Sequence, residues 1–176
     1  MASAALIEYR GSGVLIVDTK RSAVLLVYDY TKNYNCCGGS MKYNYDDPRC
    51  IEKTAKDELY EETRTLFTCD IDYLMTCPSV DLNHKNSLFR CYILKTKCPS
   101  DICQQFDNVK LDENTMGSDY YETTAVAFFP LDQFKHRKSL LTIDKNCEAV
   151  QIDGTLSPLN RRVISVIEAA IKENLL

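Results

Sequence analysis

Two histidines and no Cys-x-x-Cys pair leave this sequence little from which to build a zinc site. Its nine cysteines are scattered: Cys36, Cys37, Cys50, Cys69, Cys77, Cys91, Cys98, Cys103 and Cys147. Cys98 and Cys103 come nearest to ligand spacing, but no second pair lies close by, and structural zinc sites use paired ligands at short intervals. An odd count at irregular intervals is no disulfide framework either. The reading is free thiols serving as small apolar fillers in a reducing cytoplasm. Tryptophan is absent. Basic charge is short, with 21 Lys and Arg against 25 Asp and Glu, a formal charge of −4. That balance argues against a general nucleic-acid-binding protein while leaving room for a local basic patch. No apolar run approaches a membrane span, and residues 1 to 10, MASAALIEYR, lack the basic start and apolar core of a signal peptide. There is no internal repeat, no low-complexity tract and no linker rich in Gly, Pro and Ser, so residues 1–176 read as a single domain. Hydrophobic content of 45% and charged content of 26% exclude disorder.

What is present reads as strands, a helix, more strands and a closing helix. GVLIVD (13 to 18) and AVLLVYDY (23 to 30) are β-branched apolar runs joined by a short polar turn, the pattern of paired strands. Asn33 to Pro48 reads as a polar loop. Asp47-Pro48 is a helix start, with Asp as N-cap and Pro at the first helical position, and the helix runs to about Leu66. IDYLMTC (71 to 77), SLFRCYILKT (87 to 96) and TAVAFFPL (124 to 131) read as strands, and residues 98 to 119 as polar and irregular. Ser157-Pro158 starts a last helix with apolar residues Leu159, Val163, Val166, Ile167, Ala170 and Ile171 at helical spacing. The order predicts an α/β fold, a mixed sheet covered by helices on both faces.

The first helix carries a cost. TAKDELYEET, residues 54 to 63, sets Asp57, Glu58, Glu61 and Glu62 close together. At 100° per residue Glu58 and Glu62 share a face with Glu61 beside them, and like charges four residues apart cost roughly 0.2–0.5 kcal/mol in water. Ala55 and Leu59 fall on the same half of the helix, so these acids border the packed face. Lys53, Lys56 and Arg64 fall opposite, with Arg64 alone in reach of Glu61. Three carboxylates at a core edge, short of cations, are best neutralised by a metal, and hard oxygen ligands select Mg²⁺ or Mn²⁺. The bland alternative is a solvated acidic helix face.

Gly38-Gly39 followed by Ala55-x-x-Glu58-Leu59-x-Glu61-Glu62 resembles the Nudix box, G-x5-E-x7-R-E-U-x-E-E-x-G-U with U aliphatic, over residues 38 to 66. YETTAVAFFPLDQF (121 to 134) resembles the Glu-containing loop and strand end that often follow in that family. The resemblance implies the Nudix α/β/α sandwich. Three positions depart: Asp57 stands where the box has Arg, Arg64 where it has Gly, and Arg49 where it has Glu. One hypothesis is that the family's Glu–Arg bracing pair persists with its charges exchanged, as Arg49 and Asp57, with Lys53 a competing partner for Asp57. The interval from Gly39 to Arg49 is also four residues longer than the box, an enlarged loop, SMKYNYDDP, that is either a substrate wall or a tolerated insertion.

The resemblance further implies hydrolysis of a pyrophosphate bond in a nucleoside diphosphate linked to another moiety. Glu58, Glu61 and Glu62 would ligate Mg²⁺ or Mn²⁺, and a carbonyl of Gly38 or Gly39 would add an oxygen. Bound metal lowers the pKa of a water and screens the diphosphate. The general base comes from the box, where Glu58 is the catalytic candidate, or from the later loop, where Glu122 is the choice over Asp119 and Glu113. Tyr34, Tyr43, Tyr45, Tyr120 and Tyr121 could stack on a base, and Phe134 to Lys138 could hold a phosphate chain or an RNA 5′ end. Three functions follow in order. The first is a cytoplasmic nucleotide pyrophosphatase acting on a small molecule. The second is an mRNA cap-cleaving (decapping) hydrolase on capped RNA, which occurs in large DNA viruses. The third is a non-catalytic nucleotide-binding module.

Overall fold

A strand buried on both faces needs apolar side chains at successive positions, and Val14-Leu15-Ile16-Val17 supplies them. In the computed structural model, which describes residues 8–84, 87–111, 117–135 and 147–176, these residues form the inner part of β1 (Glu8–Asp18). β1 pairs antiparallel with β2 (Ala23–Asp29) through Ile16 and Leu25. The short strands β3 (Tyr34–Asn35) and β4 (Cys37–Ser40) follow, β3 against β2 and β4 against β1. Next come α1 (Cys50–Glu62), α2 (Ile71–Thr76), β5 (Ser79–His84) and β6 (Ser87–Thr96). β6 lies parallel to β1 along its whole length, Glu8 beside Ser87 and Asp18 beside Thr96. α3 (Ile102–Asn108), β7 (Thr123–Pro130), α4 (Asp132–Lys135), β8 (Glu148–Val150), β9 (Leu156–Pro158) and α5 (Arg161–Lys172) complete the order. β7 pairs with β2, β5 with β6, and β8 with β9 as a separate hairpin.

The pleat of β1 divides the interior in two. Leu15 and Val17 point into a core closed by Val163, Ile164, Val166, Ile167 and Ala170 of α5. Val14 and Ile16 point the other way, onto Ala55 and Leu59 of α1, Leu74 of α2, and Ile102 and Phe106 of α3. The predicted mixed α/β sheet with helices on both faces is therefore what forms. All nine cysteines are free thiols, and six are buried in these layers. Among the described residues, no helix is long and apolar enough to cross a membrane.

Several expectations need correction. IDYLMT is the helix α2, not a strand: Ile71 and Leu74 are three apart, and Leu74 alone is buried, on the side of α1. ICQQFDN forms α3 inside the stretch read as irregular. SVDLNH forms β5, and part of the polar loop forms β3 and β4. α1 begins at Cys50 rather than Pro48, with the Asp47 carboxylate accepting from the Arg49 amide at 2.9 Å, and it ends at Glu62. Ser157-Pro158 lies in β9, and the cap of α5 is Asn160, whose side chain accepts from the Arg162 amide at 2.9 Å.

Candidate active site

α1 is held against the sheet by Ala55 and Leu59, both fully buried, and at its start by Ser12, whose hydroxyl donates to the Ile51 carbonyl at 2.7 Å. Helical periodicity then fixes the acids. Glu58 and Glu62, each 7% exposed, turn towards β4, and Glu61 is half-buried at the rim. The Gly38 amide donates to Glu62 Oε2 at 2.8 Å. Gly39 leaves a cradle: a Cβ there would stand 2.5 Å from Glu58 Oε1. Burial, and secondarily the charge of Glu58, push the Glu62 carboxyl well above its usual pKa, against the pull of the Gly38 amide. Burial also raises Glu58, with Lys42 opposing.

Lys42 is the residue that the sequence reading missed. The acids were expected to lack protein cations; instead the Lys42 ammonium stands 3.1 Å from Glu58 Oε1, pairs with Glu61, and lies 3.9 Å from Asp119. Burial disfavours the Lys42 charge, yet Glu61 and Glu58 hold its pKa above the ordinary lysine value. The enlarged loop delivers it. Its backbone is fastened to α1, the Lys42 amide donating to Thr54 Oγ1 at 3.1 Å and the Tyr43 hydroxyl donating to Asp57. Helical pattern reveals acids on α1 but says nothing of a lysine in an irregular segment; the one signal was the four extra residues.

The exchanged bracing pair does not form. Arg49 pairs with Asp72 at 2.9 Å, Asp57 accepts from Tyr43, and Lys53 pairs with Asp47. The cation that the box would place at position 57 comes here from the loop, as Lys42. Arg64 does not reach Glu61 either. It takes the left-handed conformation (φ 51) suited to the glycine of the box. Its guanidinium turns away, donating to the carbonyls of Thr123 at 2.9 Å and Phe106 at 3.3 Å, and lies over the Phe106 ring.

These residues floor a cleft of about 1100 Å³ that Glu58, Glu61, Glu62, Gly38, Gly39, Lys42, Asp119 and Glu122 all line. Glu122 is exposed at its mouth, just before β7, where the Thr123 hydroxyl donates to the Glu62 carbonyl at 2.8 Å. Burial, then Asp119, raises the Glu122 pKa. Arg10, Arg161 and Arg162 line the cleft as well. Arg162 lies over the Phe89 ring and donates to the Gly38 carbonyl at 2.7 Å, so of the two oxygens considered as metal ligands, those of Gly38 and Gly39, the first already has a partner. The five tyrosines proposed for stacking do not line the cleft. Tyr34 packs on Tyr28 and Phe129, Tyr43 and Tyr45 bond to Asp57 and the Tyr9 carbonyl, and Tyr120 meets Tyr60. Tyr30 and Phe89 are the aromatic residues along it. Glu113 and residues 136–138 of the basic cluster lie outside the described residues, and Phe134 is buried.

Among the described residues no three His, Cys, Asp or Glu side chains form a ready-made metal cage; the acids surround the ammonium instead. The set nevertheless suits a hard divalent ion. Its donors are carboxylate oxygens, the Gly39 cradle keeps the Glu58 carboxylate against the strand, and Lys42 stands in for a cation between Glu58 and Glu61.

No family model and no curated protein matches the sequence. Solved structures do match. One is a bifunctional NMN adenylyltransferase/ADP ribose pyrophosphatase from Francisella tularensis, solved with AMP and a manganese ion. Its TM-score is 0.53 at 11% identity, over 97% of this chain and 43% of that one. The chain thus spans less than half the length of that protein. The NUDIX domain of Shewanella oneidensis NrtR, complexed with ADP ribose, matches at TM-score 0.47 and 15% identity, over 98% of this chain and 90% of that one. A MutT NUDIX hydrolase from Burkholderia pseudomallei gives 0.44 and 14%, over 92% and 97%. At such identities the likeness is one of fold alone.

Proposed function

We propose that the chain is a Nudix-type hydrolase that cleaves a pyrophosphate linkage in a nucleoside diphosphate bonded to a further group, with Mg²⁺ or Mn²⁺ held by Glu58, Glu61 and Glu62. The observation that carries this reading is the pair of buried carboxylates, Glu58 and Glu62, set against Gly38 and Gly39 on the floor of a cleft that three arginines also line. Bound there, the divalent ion would supply charge screening and a water of lowered pKa. Glu62 is oriented by the Gly38 amide, and Glu58 by the space that Gly39 leaves. Arg10 and Arg161 offer positive charge to the phosphates, and the Phe89 ring, backed by Arg162, offers an apolar face to the nucleoside. Water oxygen bonds to one phosphorus, the bridging P–O bond breaks, and the leaving phosphate keeps the electron pair. Glu122 is our candidate to take the water's proton, its raised pKa bringing it nearer the working pH.

The test is a panel of ADP-ribose, dinucleoside polyphosphates, nucleoside triphosphates, diphosphoinositol phosphates and capped RNA, each with Mg²⁺ or Mn²⁺. Turnover of a small nucleotide, lost in Glu58→Gln and Glu62→Gln, supports the proposal; release of m7GDP alone would make the chain a cap-cleaving enzyme. A second reading, a non-catalytic nucleotide-binding module, is favoured by the ion pairs that Lys42 makes with the acids. Tight binding of one nucleotide with no turnover of any would establish that reading instead.

A further inference from the structure

Lys42 and a divalent ion compete for the same oxygens. The ammonium stands 3.1 Å from Glu58 Oε1 and pairs with Glu61, so a divalent ion held by the same carboxylates would contend with a charge already neutralising them. We propose that Lys42 is a tethered counter-ion that couples metal uptake to substrate arrival. With the cleft empty, its ammonium neutralises Glu58 and Glu61. When a diphosphate enters, the ammonium moves onto phosphate oxygen and frees the acids for the metal. The inference rests on the metal-site reading above and concerns what that reading leaves open, the order and linkage of binding.

Three features of the structure support such a device. First, the Lys42 backbone is fixed, so a change of partner needs only its side chain to move. The amide is bonded to Thr54 on α1, the next residue is anchored by the Tyr43 bond to Asp57, and what remains is a four-carbon stem ending inside the cleft. Second, the alternative resting place on protein is poor: Asp119 is 3.9 Å away and half exposed, so an ammonium displaced from Glu58 and Glu61 gains most from an anionic ligand in the cleft. Third, position 57, where the box would have a fixed arginine on the helix, carries the aspartate that fastens the loop. A helix arginine stays in place; a loop lysine can change partners. Because linkage is reciprocal, a metal already bound would equally favour the diphosphate.

Mn²⁺ binding measured by electron paramagnetic resonance tests this, with and without a methylene-bridged ADP that cannot be hydrolysed. In the wild type, the analogue should tighten Mn²⁺ binding by at least about tenfold. Lys42→Met should bind Mn²⁺ more tightly than wild type without the analogue, and most of the analogue's gain should vanish. The analogue's own affinity for Mn²⁺ is common to both proteins, so their difference isolates the lysine. Lys42→Arg should keep the coupling, and Lys42→Gln repeats the measurement if the methionine variant does not fold. Equal Mn²⁺ affinities and equal gains in wild type and Lys42→Met would overturn the proposal while leaving the metal site standing. No Mn²⁺ uptake by any of these proteins, with or without the analogue, would overturn both.

Discussion

Glu58 lies where a side chain at position 39 would have to go, which makes Gly39 a sensitive neutral residue of the site. A methyl group there would meet Glu58 Oε1 at 2.5 Å and push the carboxylate off the strand. Gly39→Ala should therefore keep the fold, as judged by circular dichroism, and lose about 10²-fold in turnover, the scale of a 1 Å misplacement. Glu62 permits a prediction in pH. Its pKa is raised in the folded protein above an ordinary value of 4.5. It favours folding below that value, and the contribution is lost as pH rises through the folded pKa. In chelator, the wild type should lose stability as pH rises above about 4.5 towards the raised folded value, whereas Glu62→Gln, which keeps an acceptor for the Gly38 amide, should show a flatter profile. Thermal melts across that range decide it. The acids were legible because a helix repeats, so four positions apart means one face. Lys42 and Arg162 were not, since contacts made across a loop or from α5 to Gly38 leave no period in the chain.

α1 ends where the box would put glycine, and Arg64 bears the left-handed backbone there. That conformation costs a side-chain-bearing residue about 1–2 kcal/mol, but each charge-assisted bond from its guanidinium to Thr123 and Phe106 returns about 1.5–3 kcal/mol. Arg64→Gly should on balance destabilise the protein by about 1–5 kcal/mol in urea titration. Arg64→Lys should recover little, because one ammonium cannot span both carbonyls. Element by element, the sequence was clearest where burial is two-sided. The runs in β1, β2, β6 and β7 admit one reading because apolar residues are continuous through the middle of each. IDYLMT fits both a strand and a single helical turn, and packing on α1 decides between them. ICQQFDN buries Ile102 and Phe106, too few apolar positions to mark a helix before its partner is known.

For the molecule as a whole, a ligand held by the acids of the cleft should favour the folded chain. Mn²⁺ at about 100 times its Kd should raise unfolding free energy by about 2.7 kcal/mol, and chelator should reverse the gain. Melting temperatures that ignore the metal would contradict the site as drawn. The parallel pairing of β1 with β6 sets a different demand, on synthesis. The hairpin of β1 and β2, apolar on both sides, is made before β6, and the edge of β1 that receives Ser87–Thr96 has no neighbour until that segment leaves the ribosome. Until then it offers an open row of amides and carbonyls to any other nascent chain. Recombinant yield should consequently improve with weaker induction or lower temperature, which leaves fewer half-made sheets competing for one another's edges.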